Sequence, residues 1–267
     1  MFNLSTTVRT LLIFGFTFLY IPLFFVVISA FSESDVPGIW TRFSLKWFIL
    51  VFTDKDLLRA ALASVEVAAI SATTATILGT ISATAIVSKE DYLWKRTLSK
   101  LIIVPILLPE IIAGFSLLML FMIVERMFNI SQERGLVTVA IGHTMASVAY
   151  VHTTVKSRLS SFDLSLEEAA RDLGANPLIS FIRIKLPSIW TSIWAGWLLA
   201  FTISIDDLVI ASFLTGPGAT TLPLLIFSNI KVGITPAINA FATMLMAIVL
   251  MCTLRSTKSS TKSKNAS

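Results

Sequence analysis

Residues 11–30 read LLIFGFTFLYIPLFFVVISA, a run with no Asp, Glu, Lys or Arg. At 1.5 Å rise per residue, about 20 such positions cover the roughly 30 Å of hydrocarbon in a bilayer as one helix. Five further stretches have the same character. Leu62 to Ile86 carries only Glu66, and Leu101 to Val124 only Glu110. Leu136 to Val155 carries His143 and His152, Ile189 to Leu214 carries Asp206 and Asp207, and Ile238 to Leu254 carries no charge. The expected fold class is therefore an all-α membrane protein with about six transmembrane helices.

Composition excludes a soluble globular domain. Of 267 residues 55% are hydrophobic and 14% charged, against about 45–50% and 25% in ordinary soluble domains. Mean hydropathy is +0.83, more apolar side chain than a core of this size can hide. The net charge of +5 would suit nucleic acid, but the basic residues flank apolar runs, so membrane lipid is the partner implied and nucleic acid is not. A single cysteine, Cys252, permits no internal disulfide and no CxxC site, and no metal-binding cluster is expected.

The first run is read as a span and not as a cleaved signal, because it exceeds the usual 7–15 apolar residues and no A-x-A-like site follows. With a cytoplasmic N-terminus, 14 of the 21 Lys and Arg fall inside: Arg9, then Lys89, Lys95, Arg96 and Lys100, then five between Lys156 and Lys185, then Arg255, Lys258, Lys262 and Lys264. This asymmetry predicts both termini in the cytoplasm. The chain then divides into a cytoplasmic N-terminus (1–10), a first helix (11–30), an extracytoplasmic loop (31–61), a core of five spans (62–254) and a basic tail (255–267) read as disordered.

Between spans four and five, residues 156–187 are too long and too patterned for a plain loop. Ser165 and Glu168 have capping-box spacing. Leu166, Ala169, Ala170 and Leu173 form an apolar stripe, opposite Glu167, Arg171 and Asp172. Gly174 supplies a left-handed cap and Asn176-Pro177 stops the helix. A second short helix, Leu178 to Ile184, leads into Leu186-Pro187. A cytoplasmic apolar stripe that lipid cannot cover calls for a protein partner.

The pattern Glu168-Ala169-Ala170, three residues, Gly174, nine residues, Ile184, one residue, Leu186-Pro187 resembles the full EAA motif of permease subunits in bacterial ABC importers. The resemblance extends over nearly the whole chain. Phe43-Ser44-Leu45-Lys46-Trp47-Phe48, Leu108-Pro109-Glu110-Ile111, Asp206-Asp207-Leu208-Val209-Ile210 and Gly216-Pro217-Gly218-Ala219-Thr220-Thr221-Leu222-Pro223 are similar to the spermidine/putrescine branch, in particular its second permease subunit. Glu110 departs from the Asp of many relatives. The resemblance implies a type I ABC importer permease fold in the bacterial inner membrane, with Glu168, Ala169, Ala170, Gly174, Ile184, Leu186 and Pro187 coupling to an ATPase. It also implies the partners: a second permease in a heterodimer, an ATPase dimer that binds ATP and Mg, and an extracytoplasmic polyamine-binding protein.

Ionisable residues in spans cost about 2.5–3.5 kcal/mol each at mid-helix on insertion scales, so each needs an account. Glu66, near a span end, is read as snorkelling to the interface. Glu110 follows Pro105 and Pro109, which leave carbonyls unpaired beside it, and is read as facing a water-lined substrate pathway. Asp206 and Asp207 point about 100° apart, so one of the two faces the pathway. Trp47 is either an interfacial anchor or a pathway residue, and His143 is read as a hydrogen-bonded helix contact. The chain is not expected to be an enzyme or to bind a cofactor: it contains no G-x-x-x-x-G-K-[ST] loop, no H-E-x-x-H and no G-x-S-x-G. A secondary cation transporter would use the same acids, but no matched internal repeat of broken helices is evident.

Overall fold

In the computed structural model the described residues are 6–36, 38–87, 93–129, 133–232 and 236–264. Lys89 of the expected cytoplasmic group and the last three residues of the tail lie outside them. The elements are α1 (Thr6–Ala30), α2 (Lys46–Thr53), α3 (Lys55–Ile86), α4 (Leu93–Leu107), α5 (Glu110–Phe128), α6 (Leu136–Ser160), α7 (Leu164–Asp172) and α8 (Pro177–Ser180). A π turn (Phe181–Lys185) follows, then α9 (Leu186–Asp206), α10 (Val209–Leu214), α11 (Leu222–Val232) and α12 (Pro236–Lys264). By length and hydropathy α1, α3, α5 and the run Pro177–Asp206 are each able to cross a membrane.

The chain forms two compact units. In the first, Met1–Leu58 with Ile226–Ser267, α12 packs on α1 and α2. The loop before α2 is tied by a Ser32–Phe43 bridge and by an Arg42–Glu33 ion pair. In the second, Arg59–Leu225, α6 is central and packs against α4, α9 and α10. One core cluster gathers Ala72 and Ala75 of α3, Val151 and Val155 of α6, and Ile189 and Ala200 of α9. A second gathers Leu117 of α5, Val139 and Ala140 of α6, and Ile210 and Leu214 of α10. Small residues allow the approach: a Cβ on Gly79 would lie 2.8 Å from the Val151 side chain, and one on Gly142 2.4 Å from Leu214 Cδ1.

Four expectations are corrected. The third and fifth spans are each interrupted, at Leu108-Pro109 and at Asp207-Leu208. In the first case Pro109 has no N–H to return to the Pro105 carbonyl, and its own carbonyl accepts the Ile112 and Ala113 N–H groups that open α5. Glu110 therefore sits in the first turn of a helix, not inside one. The basic tail is helical through Lys264 as a continuation of α12. The second short cytoplasmic helix is continuous with span five through the π turn. Finally, α7 is capped by Asp163, whose carboxylate accepts the Ser165 N–H, so Ser165 lies inside the first turn and the capping box does not form. That hydrogen bond holds the Asp163 carboxyl below its ordinary range.

Candidate functional site: the interrupted spans and the Glu167 clasp

Two places concentrate polar chemistry. The first is where α5 meets α10. Gly114, one turn past Glu110, lies against Ile210 and Phe213, and Ile210 lies three residues past Asp207. Both interruptions thus border the same helix contact. Each also leaves the carbonyl end of a helix, α4 at Leu107 and α9 at Asp206, beside a carboxylate. Helix C-termini carry roughly half a negative charge and the N-termini of α5 and α10 that follow carry the opposite, so the net negative charge at each break is that of its carboxylates.

The acids are not equivalent. Glu110 and Asp206 are exposed. Asp207 adopts an extended backbone (φ −66°, ψ 123°) that ends α9, and its side chain is 7% exposed. Asp207 Oδ1 accepts the Ala211 N–H at 3.1 Å in the first turn of α10 and lies 3.4 Å from His143 Nε2. His143, its side chain 1% exposed, meets Ser204 Oγ with Nδ1 at 2.7 Å. The sequence placed the acids and His143 in spans but held no local signal that pairs Asp207 with a histidine 64 positions earlier.

Trp47 belongs to the other unit. It is buried, and its indole N–H donates to the Ser32 carbonyl at 2.8 Å, which fixes the loop ahead of α2. Among the described residues no three His, Cys, Asp or Glu side chains come together as a metal site.

The second place is the segment between α6 and α9. Gly174 adopts φ +84°. Its N–H donates to Arg171 O at 2.9 Å and the Ala175 N–H to Ala170 O at 2.9 Å, the two bonds of a Schellman cap. Asn176 Oδ1 then accepts the Ile179 N–H at 2.8 Å, starting α8 with Pro177 at its first position. Ala170 is buried, Glu168 and Ala169 are exposed, and Ile184 and Leu186 are half-buried. Leu166, Leu173 and Leu178 stay exposed, Leu173 at 89%.

Glu167 departs from the expected solvated face. It is buried, accepting from Lys185 Nζ at 2.6 Å and from Arg171 Nη2 at 2.7 Å. Burial alone would raise its pKa, but the Lys185 and Arg171 hydrogen bonds and charges outweigh that and hold the carboxyl below its ordinary range. This clasp ties α7 to the π turn at the base of span five.

The molecule is thus a multi-span membrane transport component with two interrupted spans and a clasped amphipathic helix between α6 and α9. Residues 75–257 match the family described as binding-protein-dependent transport system inner membrane component, and the chain belongs to that family. It is 43% identical over 239 residues to the putrescine transport system permease protein PotI of Escherichia coli strain K12, covering 90% of this chain and 85% of that one. It is 36% identical over 241 residues to the spermidine/putrescine transport system permease protein PotC of the same strain, covering 90% and 89%. Its fold is that of type I ABC importer permeases. It superposes with a TM-score of 0.71 at 15% identity on a bacterial ABC transporter involved in the import of the acidic polysaccharide alginate, covering 94% of each chain.

Proposed function

We propose that this chain is the polyamine-translocating permease subunit of an ATP-binding-cassette importer, passing putrescine or spermidine across the inner membrane. The observation that carries the substrate is the pair of interrupted spans, each with an exposed carboxylate beside a helix carbonyl end. Alkyl ammonium groups keep pKa values near that of lysine, about 10.4, so a polyamine crosses as a polycation and needs counter-charges in a low-dielectric pathway. Glu110 and one of the two aspartates serve as successive weak stations, which pass an ion on where a deep well would trap it. The relatives named for putrescine and spermidine transport support the same substrate class.

ATP and Mg are handled by a separate ATPase dimer that docks on α7 through Glu168, Ala169, Ala170 and Gly174. Ile184, Leu186 and Pro187 transmit its movement into span five. A second permease completes the pathway and an extracytoplasmic binding protein delivers the substrate. Both termini face the cytoplasm, and Trp47 steadies the loop ahead of α2. Closure of the ATPase dimer drives alternation between outward and inward openings.

Reconstituted complex in proteoliposomes tests the pathway. Glu110→Gln should lower uptake of labelled putrescine and spermidine about tenfold or more, the scale of one lost charge interaction, while assembly and basal ATP hydrolysis persist. Full uptake in Glu110→Gln, in Asp206→Asn and in Asp207→Asn would remove the electrostatic path. Coupling is tested at Gly174, where an added Cβ meets no atom within 4 Å, so the positive φ alone is probed. Gly174→Val should uncouple hydrolysis from uptake, whereas Gly174→Asn, which tolerates the left-handed region, should stay close to wild type. Equal behaviour of the two variants would sink the cap.

A further inference from the structure

We infer that His143 is a positioning residue for the translocation pathway: through Ser204 and Asp207 it locks the interruption of span five so that Asp206 alone is offered to the substrate. The inference rests on the polyamine reading above for what Asp206 meets, and on the geometry of the break for the rest.

The three partners come from three sides of one turn. Ser204 lies in the last turn of α9, Asp207 is the residue at which α9 ends, and His143 projects from α6, the helix that packs against both α9 and α10. The imidazole bridges them: Nδ1 is 2.7 Å from Ser204 Oγ and Nε2 is 3.4 Å from Asp207 Oδ1. The second separation exceeds a good hydrogen bond, and Nε2 makes no hydrogen bond among the described residues. With the Nε2 proton toward the carboxylate, Nδ1 is left as an acceptor and the Ser204 hydroxyl donates to it. Asp207 Oδ1 also takes the Ala211 N–H, so one carboxylate joins the end of α9, the start of α10 and the side of α6.

Asp207 is therefore committed. Its buried carboxylate has an imidazole and a backbone amide as partners, and removing either would leave a buried charge short of a partner, which costs more than the contact itself contributes. Asp206 is exposed and lies at the carbonyl end of α9. Adjacent positions at a helix end thus divide the work: one acid holds the break and the other faces outward from it. Nothing else in the turn Asp206-Asp207-Leu208 sets its conformation. It contains no proline or glycine, and Asp207 carries an extended ψ of 123° that any residue can adopt or leave.

The test uses the full complex of both permeases, ATPase and binding protein in nanodiscs, with Cys252→Ser throughout so that a single introduced cysteine reports. The probe is a quaternary-ammonium methanethiosulfonate reagent, a cationic stand-in for the substrate. Asp206→Cys should react at least about tenfold faster than Asp207→Cys, the separation expected between an exposed and a buried thiol. In the Asp206→Cys background, His143→Gln keeps an N–H donor near the Nε2 position and should leave the labelling rate within about threefold, whereas His143→Asn reaches Ser204 but not Asp207 and should change it about tenfold.

Asp207→Asn retains an acceptor for both Ala211 and His143 and should also leave the rate within about threefold. Equal labelling at positions 206 and 207 would overturn the inference, and so would indistinguishable rates in His143→Gln and His143→Asn. If His143→Asn prevents assembly, the 206 against 207 comparison and Asp207→Asn still decide. The labelling pattern requires no particular cargo, so a complex that labels as expected yet fails to import polyamines would overturn the substrate reading and leave this one standing.

Discussion

The two ends of span five solve the same problem in opposite ways. At its first end Pro187 stands inside a helical run, where its missing N–H and its ring should break the helix, yet the backbone continues from Pro177 to Asp206. At its second end, Asp206-Asp207-Leu208, there is no proline at all, and the helix stops. The difference lies in where the backbone groups find partners. Ahead of Pro187 the helix widens into a π turn, in which the Leu186 N–H reaches back to Phe181 O, as π turns at functional sites often do. At Asp207 a side chain takes over the Ala211 amide and a new helix begins. Pro22 and Pro105 likewise lie inside unbroken helices, so proline alone marks neither a break nor its absence in this protein.

The largest effect in this comparison is expected beyond the Asp207 break. Gly216 follows α10, and a Cβ built there would lie 1.9 Å from the Arg134 carbonyl oxygen, just ahead of α6. Backbone cannot yield as a side-chain tip can, so Gly216→Ala must displace either the end of α10 or the start of α6. That end is also tied by Thr138 Oγ1 donating to Leu214 O at 2.7 Å. Overpacking of this kind costs about 1–3 kcal/mol or more. We expect assembled complex to fall several-fold, measured by co-purification with the ATPase. Wild-type yield and melting temperature in Gly216→Ala would show that this turn is loose.

The Glu167 clasp at the first end of span five should give a smaller, functional effect. Glu167→Gln and Lys185→Met each remove half of a buried pair, and a double-mutant cycle on uptake should return a coupling of about 1–3 kcal/mol. Because the Glu167 carboxyl is held below its ordinary range, its contribution is complete above that range and is lost only as the pH falls through the lowered value. Hydrogen-exchange protection over residues 164–185, corrected for the intrinsic pH dependence of amide exchange, should therefore be unchanged from neutral to mildly acidic pH and fall only in strong acid. Additive single variants, or protection that falls already in mild acid, would rule the clasp out.

Much of this was legible in the sequence because its causes are local. Apolar run length located the helices that end at Ala30 and Ile86, and Gly174 followed by Asn176-Pro177 announced the turn that the structure contains. What escaped was everything decided by a distant partner. Glu167 reads as solvated because its stripe-facing neighbours are Leu166 and Ala170, and its burial is made tolerable by Arg171 together with the more distant Lys185. Asp207 resembles Asp206 until His143 is brought beside it. The π turn leaves no periodic signature, since one additional residue in a turn is invisible against apolar positions on every side.

The smallest expected effect separates what causes that turn from what merely occupies it. If Pro187 holds the π turn open, then Pro187→Ala restores an N–H, the turn can relax to ordinary α geometry, and the one-residue change of register rotates the coupling segment by about 100° relative to span five. If the turn is held by the Glu167–Lys185 pair and by Ser188 Oγ donating to Ile184 O, then Pro187→Ala removes a ring and little else. The geometry favours the second account. The pair spans from α7 to the last residue of the turn, and rotation by one residue would carry Lys185 away from a buried carboxylate that has only Arg171 to replace it. Pro187→Ala alone should leave coupled uptake within about twofold and stability within about 0.5 kcal/mol, the range of substitutions that touch no key contact. Combined with Lys185→Met it should cost clearly more than the two single effects together, because only then is the turn free to relax. Uncoupling in Pro187→Ala by itself would reverse the assignment, making the proline the cause of the turn and the ion pair its consequence.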